Sequence, residues 1–301
     1  MVRSSSIVSL LLLCLFNIFP AVSQEGIATE TAAVPFLRIV PDARSAALGG
    51  MGSVVSPGAS GIFNNASANL FHADRGGVGA SLSARQQMPD ASLYSIGGYY
   101  NMNAKNGVSL GVRYFMNPEI DEITDEYGDV IVDKMRPKEM AFDIAYGRKL
   151  GNNLAVSLTM RYIYSDLGSF GGSAKAASAA ALDLGVFYTK KCAILDSAKW
   201  AIGFQASNFG TKIKYFNQES SLPGKVQLGG TIFLPFSENH QLTGSSNVGY
   251  WLQPSDASGL EVALGVEYAF FKQGFLRAGY HVGDESTGYG NFATVGAGVS
   301  A

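Results

Sequence analysis

Four charged residues of alternating sign are the clearest candidates for chemistry inside this chain. Arg113, Asp143, Arg161 and Asp183 fall on four successive candidate strands, on the face that carries small or polar residues. Such an array could conduct ions or protons, or it could form internal ion pairs. Because Asp143 and Arg161 lie equally far on either side of Asn152, a turn centred there would place them directly opposite each other.

A second pair of opposite charges, Glu267 and Arg277, comes out diagonal across a predicted turn at Gln273. In both groups positive and negative charges balance, whereas an ion-selective ring would carry a single sign. The sequence therefore favours a structural interpretation, in which these charges pair inside a narrow lumen. An ion or proton path is the alternative.

Residues 117–137 are rich in carboxylates. Close carboxylates could bind calcium, but the ordered ligand positions of an EF-hand, with its Gly and terminal Glu, are absent. A turn at Tyr127-Gly128-Asp129 instead suggests the tip of an exposed hairpin. We predict that this loop contacts a partner, through the candidate residues Asp121, Glu122, Asp125, Glu126, Tyr127 and Asp129.

Catalytic and cofactor motifs are weak in this sequence. His72, His240 and His281 lack the spacing of metal ligands, and no nucleophile elbow, phosphate loop or dinucleotide fingerprint occurs. The sequence therefore predicts neither an enzyme nor a bound cofactor or metal. A membrane hydrolase built from His and Ser is a minor alternative.

The elements that must position the charges are β-strands. Residues 139–165 alternate between large apolar side chains, such as Phe142, and small or polar ones, such as Asp143. This alternation predicts strands, and Gly-Asn-Asn at 151–153 predicts a hairpin between them. The pattern predicts about 12 strands, near residues 78–83, 93–102, 108–116, 139–150, 154–165, 181–189, 200–208, 225–236, 241–252, 260–270, 275–282 and 291–301.

The first 23 residues are typical of a secretory signal peptide. Arg3 precedes a short apolar run, and Ala-Val-Ser at 21–23 suits cleavage before Gln24. A membrane-anchoring helix is the alternative, but the apolar run is shorter than the ~20 residues that a span needs. We therefore expect export.

Composition narrows the class further. The formal net charge of −2 argues against nucleic acid as a partner. Charged residues are 15% of the chain and glycines number 36, and no mature segment has the long apolar run of a membrane helix. An exported, weakly charged, alternating chain fits a transmembrane antiparallel outer-membrane β-barrel.

A soluble lipocalin-like barrel shows the same alternation with apolar residues inward. The character of the polar face decides between the two. In residues 260–270 this face carries Ala, Gly and sparse Glu, which suits a crowded lumen, while the apolar face is bulky and ends in Tyr268 and Phe270. The membrane barrel is therefore favoured.

Residues 24–75 differ from the alternating region, being rich in Ala, Gly, Ser and Asn. Asp42 could cap a short helix that ends at Gly49-Gly50. Spaced apolar residues, including Leu48 and Ile62, predict an N-terminal plug in the lumen, with a flexible periplasmic tail as the alternative. The predicted organisation is a signal peptide (1–23), a plug (24–75) and a barrel (76–301).

Short and long connections alternate along the barrel. Bacterial barrels turn their short connections toward the periplasm, so residues 117–137 would lie outside the cell. The connection at 190–198 is longer than this rule prefers.

Several stretches resemble the PorV/PorQ family of outer-membrane proteins, which are relatives of FadL-type fatty-acid transporters. They include PFLRIVPDARSAALGGMGSVVSPGASGIFNNASANL, PKEMAFDIAYGRKLGNNLAVSLTMRYIYSDLGS and GLEVALGVEYAFFKQGFLRAGYH. The resemblance covers nearly the whole mature chain. Its N-terminal family motif corresponds to Pro41, Asp42, Ala43, Arg44, Gly49, Gly50, Met51, Gly52, Asn64 and Asn65, where relatives usually have Trp-Asn-Pro at the position of Asn64-Asn65.

The resemblance implies a 14-stranded barrel that works in type IX secretion in a Bacteroidota-type outer membrane. Such proteins bind cargo with a C-terminal secretion domain at the translocon and deliver it to a cell-surface attachment complex, without being the catalyst. The implied partners are outer membrane lipid, translocon and attachment-complex proteins, and the cargo. FadL-like transport of hydrophobic compounds is the alternative function.

Family members continue through two more strands beyond the position of Val299. The resemblance therefore predicts that this sequence, which stops at Ala301, is truncated at its C-terminus. A 12-stranded variant that closes differently is the alternative.

Overall fold

Twelve strands follow one another in chain order in a single antiparallel wall. The computed structural model describes residues 33–54, 58–84, 90–121, 123–124, 130–132, 134–170, 173–192, 197–215, 218–284, 287 and 290–300. The predicted signal peptide lies outside these ranges. The strands of the wall are β1 (Gly76–Ala84), β2 (Ser92–Asn101), β3 (Asn106–Met116), β6 (Lys138–Lys149), β7 (Leu154–Phe170), β8 (Ser173–Lys191), β9 (Lys199–Gly210), β12 (Lys225–Ser237), β13 (His240–Trp251), β14 (Gly259–Phe270), β15 (Gly274–Gly283) and β16 (Phe292–Val299).

Four short strands lie in the connections. β4 (Ile123–Thr124) pairs with β5 (Val130–Val132), which also meets the end of β7. β10 (Ile213–Tyr215) and β11 (Gln218–Ser220) form a separate two-stranded sheet between β9 and β12. The predicted antiparallel fold of about 12 main strands is confirmed.

The two faces of the wall differ as the alternation predicts. In β6, Ala141, Asp143 and Ala145 are buried, whereas Phe142 and Ile144 are exposed. Bulky apolar side chains on the outer face of many neighbouring strands suit a lipid environment. Among the described residues, no helix has the length and apolarity needed to cross a membrane.

Two sequence predictions need correction. β8 begins at Ser173 and not near residue 181, because Ala176 to Ala181 continue the ladder with β7 although their small side chains show little alternation. Glu267 and Arg277 are directly opposite and not diagonal, because Phe270 pairs with Gly274 and moves the centre of the turn to Lys272.

A β-bulge interrupts the pairing of β8 with β9. The register moves from Leu182–Phe209 to Leu184–Ala206, so two residues of β9 face Asp183. Asn208 takes a left-handed conformation with φ of 62°, and its N–H donates to Asp183 Oδ1 at 2.7 Å. The carboxylate thus satisfies a backbone donor that the ladder leaves unpaired.

The N-terminal segment fills the lumen with short helices. They are three 3-10 helices (Pro35–Arg38, Ala59–Ile62 and Ala66–Phe71) and one α-helix, α1 (Ala43–Ala47). A further 3-10 helix (Ser255–Ala257) lies between β13 and β14. We call the described residues 33–75 the plug.

The plug runs from the long-connection end of the wall to the short-turn end. Near the long connections, Phe36 stacks on Phe115 with ring centroids 6.2 Å apart, inside a buried cluster that includes Ile163 and Ile213. Near the short turns, Phe71 packs against Phe187 at 5.8 Å. Apolar contacts thus hold both ends of the plug.

Candidate functional site in the plugged lumen

Arg161 is the centre of a buried ionic network within the wall. Its Nε donates to Asp143 Oδ1 at 2.5 Å, and its Nη2 donates to Asp183 Oδ2 at 2.8 Å. Arg113 Nη2 donates to Asp143 Oδ2 at 3.3 Å. None of these four side chains is more than 4% exposed. The structure therefore brings the four predicted residues together as alternating pairs, an arrangement that offsets the desolvation of each charge.

The network continues into the β8–β9 bulge. Arg161 Nη1 donates to Asp183 Oδ1 at 3.2 Å and also to the Asn208 side-chain oxygen. Asn208 Nδ2 donates in turn to the Pro223 carbonyl at 2.9 Å. All three nitrogens of the Arg161 guanidinium therefore have partners, and the bulge is fixed by the same side chains that neutralise the charge.

Glu267 joins the plug to the wall. Its carboxylate accepts from Arg44 Nη2 at 2.6 Å and Nε at 3.0 Å, and from Arg277 Nε at 2.6 Å. Arg277 is the predicted partner on the neighbouring strand, whereas Arg44 comes from the plug. Sequence reasoning placed Arg44 only in the family motif, because the plug has no periodicity that relates it to a strand.

A third ionic group was missed at the sequence level. Lys225 pairs with Glu261, although β13 lies between their strands. Gly249 on β13 makes this possible, because a Cβ there would lie 2.8 Å from Glu261 Oε1 and 2.9 Å from Lys225 Cε. The sequence shows Lys225 and Glu261 on the polar faces of their strands. Their contact depends on Gly249, which has no side chain to separate them.

Trp251 connects this group to the plug. Its Nε1 donates to Glu261 Oε2 at 2.8 Å, and both Lys225 Nζ and Arg38 Cζ lie 4.7 Å from its ring centroid. Such contacts are typical of cation–π interactions. Arg38 Nη1 also donates to the Thr287 carbonyl at 2.5 Å. Arg38 therefore ties the plug to the connection between β15 and β16.

The first half of the family motif forms a capped turn. The Asp42 side chain accepts from the Ser45 N–H at 2.9 Å at the start of α1, which contains Ala43 and Arg44. The Pro41 carbonyl accepts from the Ser81 hydroxyl of β1. Gly49 has φ of +81°, and a Cβ there would lie 3.0 Å from the Tyr280 carbonyl oxygen. A side chain at this position would therefore push the plug from the wall.

The rest of the motif packs inside. Gly50 also has positive φ, Met51 is fully buried, and Gly52 lies against the Gln227 side chain.

The two asparagines of the motif have separate roles. Asn64 Nδ2 donates to Asp42 Oδ2 at 3.1 Å, within the plug. Asn65 Nδ2 donates to the Ser53 and Val186 carbonyls, each at 3.0 Å, and to the Phe204 carbonyl at 3.3 Å. Asn65 therefore links the plug to backbone groups of β8 and β9.

Only part of the predicted partner loop lies in the described residues. Asp121 is exposed, and Glu122, Asp125, Glu126, Tyr127 and Asp129 lie outside the described ranges. At the base of the loop, Ile120 and Met135 exchange two backbone hydrogen bonds, of 2.8 and 3.0 Å. Lys134 Nζ lies 2.6 Å from Glu119 Oε1, and this pair lowers the pKa of Glu119 and raises the pKa of Lys134.

Comparisons with known proteins identify both family and fold. The sequence model described as "Type IX secretion system protein PorV" matches residues 22–258. No protein with a curated description matches the sequence. The crystal structure of the toluene transporter TodX from P. putida is similar, with a TM-score of 0.50 and 12% identity over 80% of this chain and 82% of that chain.

A TodX variant described as a monoaromatic hydrocarbon channel has a TM-score of 0.50 and 11% identity, over 80% of this chain and 81% of that chain. At these identities the likeness concerns the fold. The family and the fold together indicate an outer-membrane location. PorV proteins and FadL-like channels are non-enzymatic families. The chain belongs to the PorV family of type IX secretion system proteins and has the barrel fold of FadL-type outer-membrane channels.

Proposed function

We propose that this protein binds secretion cargo at the outer face of the membrane and carries it from the type IX translocon to the attachment complex. The observation that carries this proposal is the match of the PorV family model over residues 22–258. The proposed partners are translocon proteins, attachment-complex proteins, and cargo with a C-terminal secretion domain. The proposed maturation step is cleavage near Ser23.

The long-connection end offers a surface for such partners. β7 and β8 form a hairpin of 17 and 19 residues, longer than the other strands of the wall. The β4–β5 hairpin pairs with the end of β7, where Val132 is opposite Phe170. Exposed Asp121 and Glu119 lie at the base of the β4–β5 hairpin. A raised sheet edge with nearby carboxylates can contact an extended or basic partner segment.

The lumen contains a small cavity with a polar lining. A cavity of about 60 Å³, which we call the lumenal cavity, lies between plug and wall and is lined by residues including Arg38, Arg113, Arg161, Asp183 and Trp251. For comparison, an apolar protein cavity that binds benzene has a volume of ~150 Å³. The lumenal cavity is smaller and polar, which argues against it as a site for an aromatic or acyl compound.

FadL-like transport is the second candidate function. A larger apolar concavity of about 1110 Å³ favours it, but that concavity is lined mainly by outward-facing side chains such as Ile96, Leu110 and Met160. Mass spectrometry of the purified protein distinguishes the two functions. Transport predicts a retained hydrophobic compound in stoichiometric amount, and cargo binding predicts none.

The cargo proposal is tested by shortening the partner loop at its paired base. Replacing residues 121–134 by Asn-Gly would join Ile120 to Met135 through a two-residue turn that suits their existing pairing. We expect secreted cargo to accumulate in the periplasm, because the partner loop is lost while the wall is kept. Secretion is measured as the ratio of surface to periplasmic cargo.

A companion variant keeps the loop and removes two of its described carboxylates, as Glu119→Gln with Asp121→Asn, and should reduce export less than the loop-shortened variant does. Heat-modifiable migration on gels verifies that both variants are folded in the outer membrane. Normal cargo export by a folded loop-shortened variant would contradict the role assigned to the loop.

A further inference from the structure

The lumenal cavity has an uneven distribution of charge. Four cationic side chains line it: Arg38 from the plug, and Arg113, Arg161 and Lys225 from the wall. Among its described lining residues, Asp183 is the one carboxylate.

The other carboxylates of these two ionic groups pair with cations that line the cavity. Asp143 pairs with Arg113 and Arg161, and Glu261 pairs with Lys225, but neither carboxylate lines the cavity. The described lining of the cavity is therefore mainly cationic. A lining with four cationic groups and one described carboxylate favours a negatively charged occupant.

One residue that lines the cavity has a buried donor without a partner among the described residues. Arg113 is 3% exposed, and its Nε–H makes no hydrogen bond to any of the described residues, whereas its Nη2 bonds Asp143. Arg161, in the same network, uses all three of its nitrogens. Buried donors are rarely left unmade, so Arg113 has capacity for one further acceptor that the wall does not supply.

The size of the cavity limits what that acceptor can be. At ~15 Å³ for each enclosed water, 60 Å³ corresponds to roughly four waters. A halide or a small oxyanion with one or two waters fits this space, whereas a lipid chain does not. We infer that the lumenal cavity binds a small inorganic anion, which bridges the plug at Arg38 and the wall at Arg113.

An anion held by both parts would bind the seated plug more tightly than a displaced one, and so would stabilise the seated plug. The stability of the plug would then depend on the anion present, independently of any cargo.

The test uses Trp251 as a reporter with iodide as the probe. The chain has two tryptophans, so Trp200→Phe leaves Trp251, which lines the cavity and is 4% exposed. Iodide replaces gluconate at constant ionic strength in the full-length protein in detergent. Because bulk collisions with a buried ring are rare, we expect saturable quenching that chloride competes away.

Gln205→Glu in the Trp200→Phe background places a near-isosteric carboxylate at the cavity, where Gln205 already accepts from Gln227 Nε2 at 2.6 Å. We expect this variant to lose the saturable quenching. Gln241→Glu is the matched control, because Gln241 is not among the lining residues and bonds Thr243 at 3.3 Å. It should quench like the parent.

Anomalous diffraction from crystals of the unsubstituted protein in iodide provides an independent measurement, should Gln205→Glu fail to fold. A peak beside the Arg113 guanidinium supports the inference. Quenching that rises linearly in the parent, or the absence of a peak, would overturn it and leave the cavity with water alone.

Discussion

Two ionic networks in this molecule hold different things together. The ion pairs around Arg161 run between wall strands, join β3, β6, β7 and β8, and are almost fully buried. The network around Glu267 joins plug to wall, and its plug partner, Arg44, has a side chain that is 29% exposed. The first network therefore fixes strands and a bulge, while the second fixes the plug to the wall. Substitutions in the first network should therefore lower the free energy of unfolding, whereas substitutions in the second should speed proteolysis of the plug.

The largest expected effect comes from Arg161→Leu. This change leaves Asp143 and Asp183 buried with Arg113 as their remaining cation, and breaking a buried pair costs about 3–5 kcal/mol. We expect the free energy of unfolding to fall by that amount, measured by urea titration of the purified protein in detergent. Arg148→Leu, at an exposed site on β6, is the control and should change little. Equal losses in both variants would show that the network adds no stability.

Asn65→Ala should act on the plug. It removes donors to the Val186 and Phe204 carbonyls and leaves these acceptors without the plug's amide, at a cost of about 1–3 kcal/mol. We expect faster proteolysis of the plug while the wall keeps its protection. Asn64→Ala is the matched control, because Asn64 bonds Asp42 and Ser45 within the plug. Identical proteolysis rates in the two variants would count against Asn65 as the link.

Arg44→Gln should have a smaller effect on the plug. Glu267 keeps Arg277 at 2.6 Å, and the partly exposed Arg44 can be replaced by water, so we expect about 1 kcal/mol. Proteolysis of the plug again gives the measurement. A loss as large as that of Arg161→Leu would mean that the two networks do not differ in the way described.

Lys134→Ala should have the smallest effect on stability. Its partner Glu119 is exposed, and surface ion pairs contribute little to stability. We expect an unchanged midpoint of thermal unfolding at every salt concentration. A clear drop at low salt would show that the base of the partner loop is part of the folded core.

The contrast between the networks also explains what could be predicted from sequence. The Asp143–Arg161 pairing follows from counting residues around a tight turn, because strand register converts sequence distance into contact. The same counting placed the centre of the next turn one residue too late, at Gln273, since Phe271 and Lys272 adopt positive φ there without Gly or Asn to signal it.

Contacts of the plug could not be read in this way. Arg44 meets Glu267 across 223 residues of sequence, and no period relates short helices to a strand. The Lys225–Glu261 pair was hidden for a related reason, because it depends on Gly249 leaving space on the strand between them. Alternation could predict the faces of the wall, but it carries no information about what fills the lumen.

The most direct test of the account is a comparison of the two ends of the wall. A photo-crosslinking residue is placed at Asp121, at the long-connection end, or at exposed Lys105, in the short turn between β2 and β3. Each folded variant is then irradiated in cells that are secreting. The account predicts adducts with proteins that carry the C-terminal secretion domain at position 121 and none at position 105. Equal labelling at both positions, or no such adduct at position 121, would contradict it.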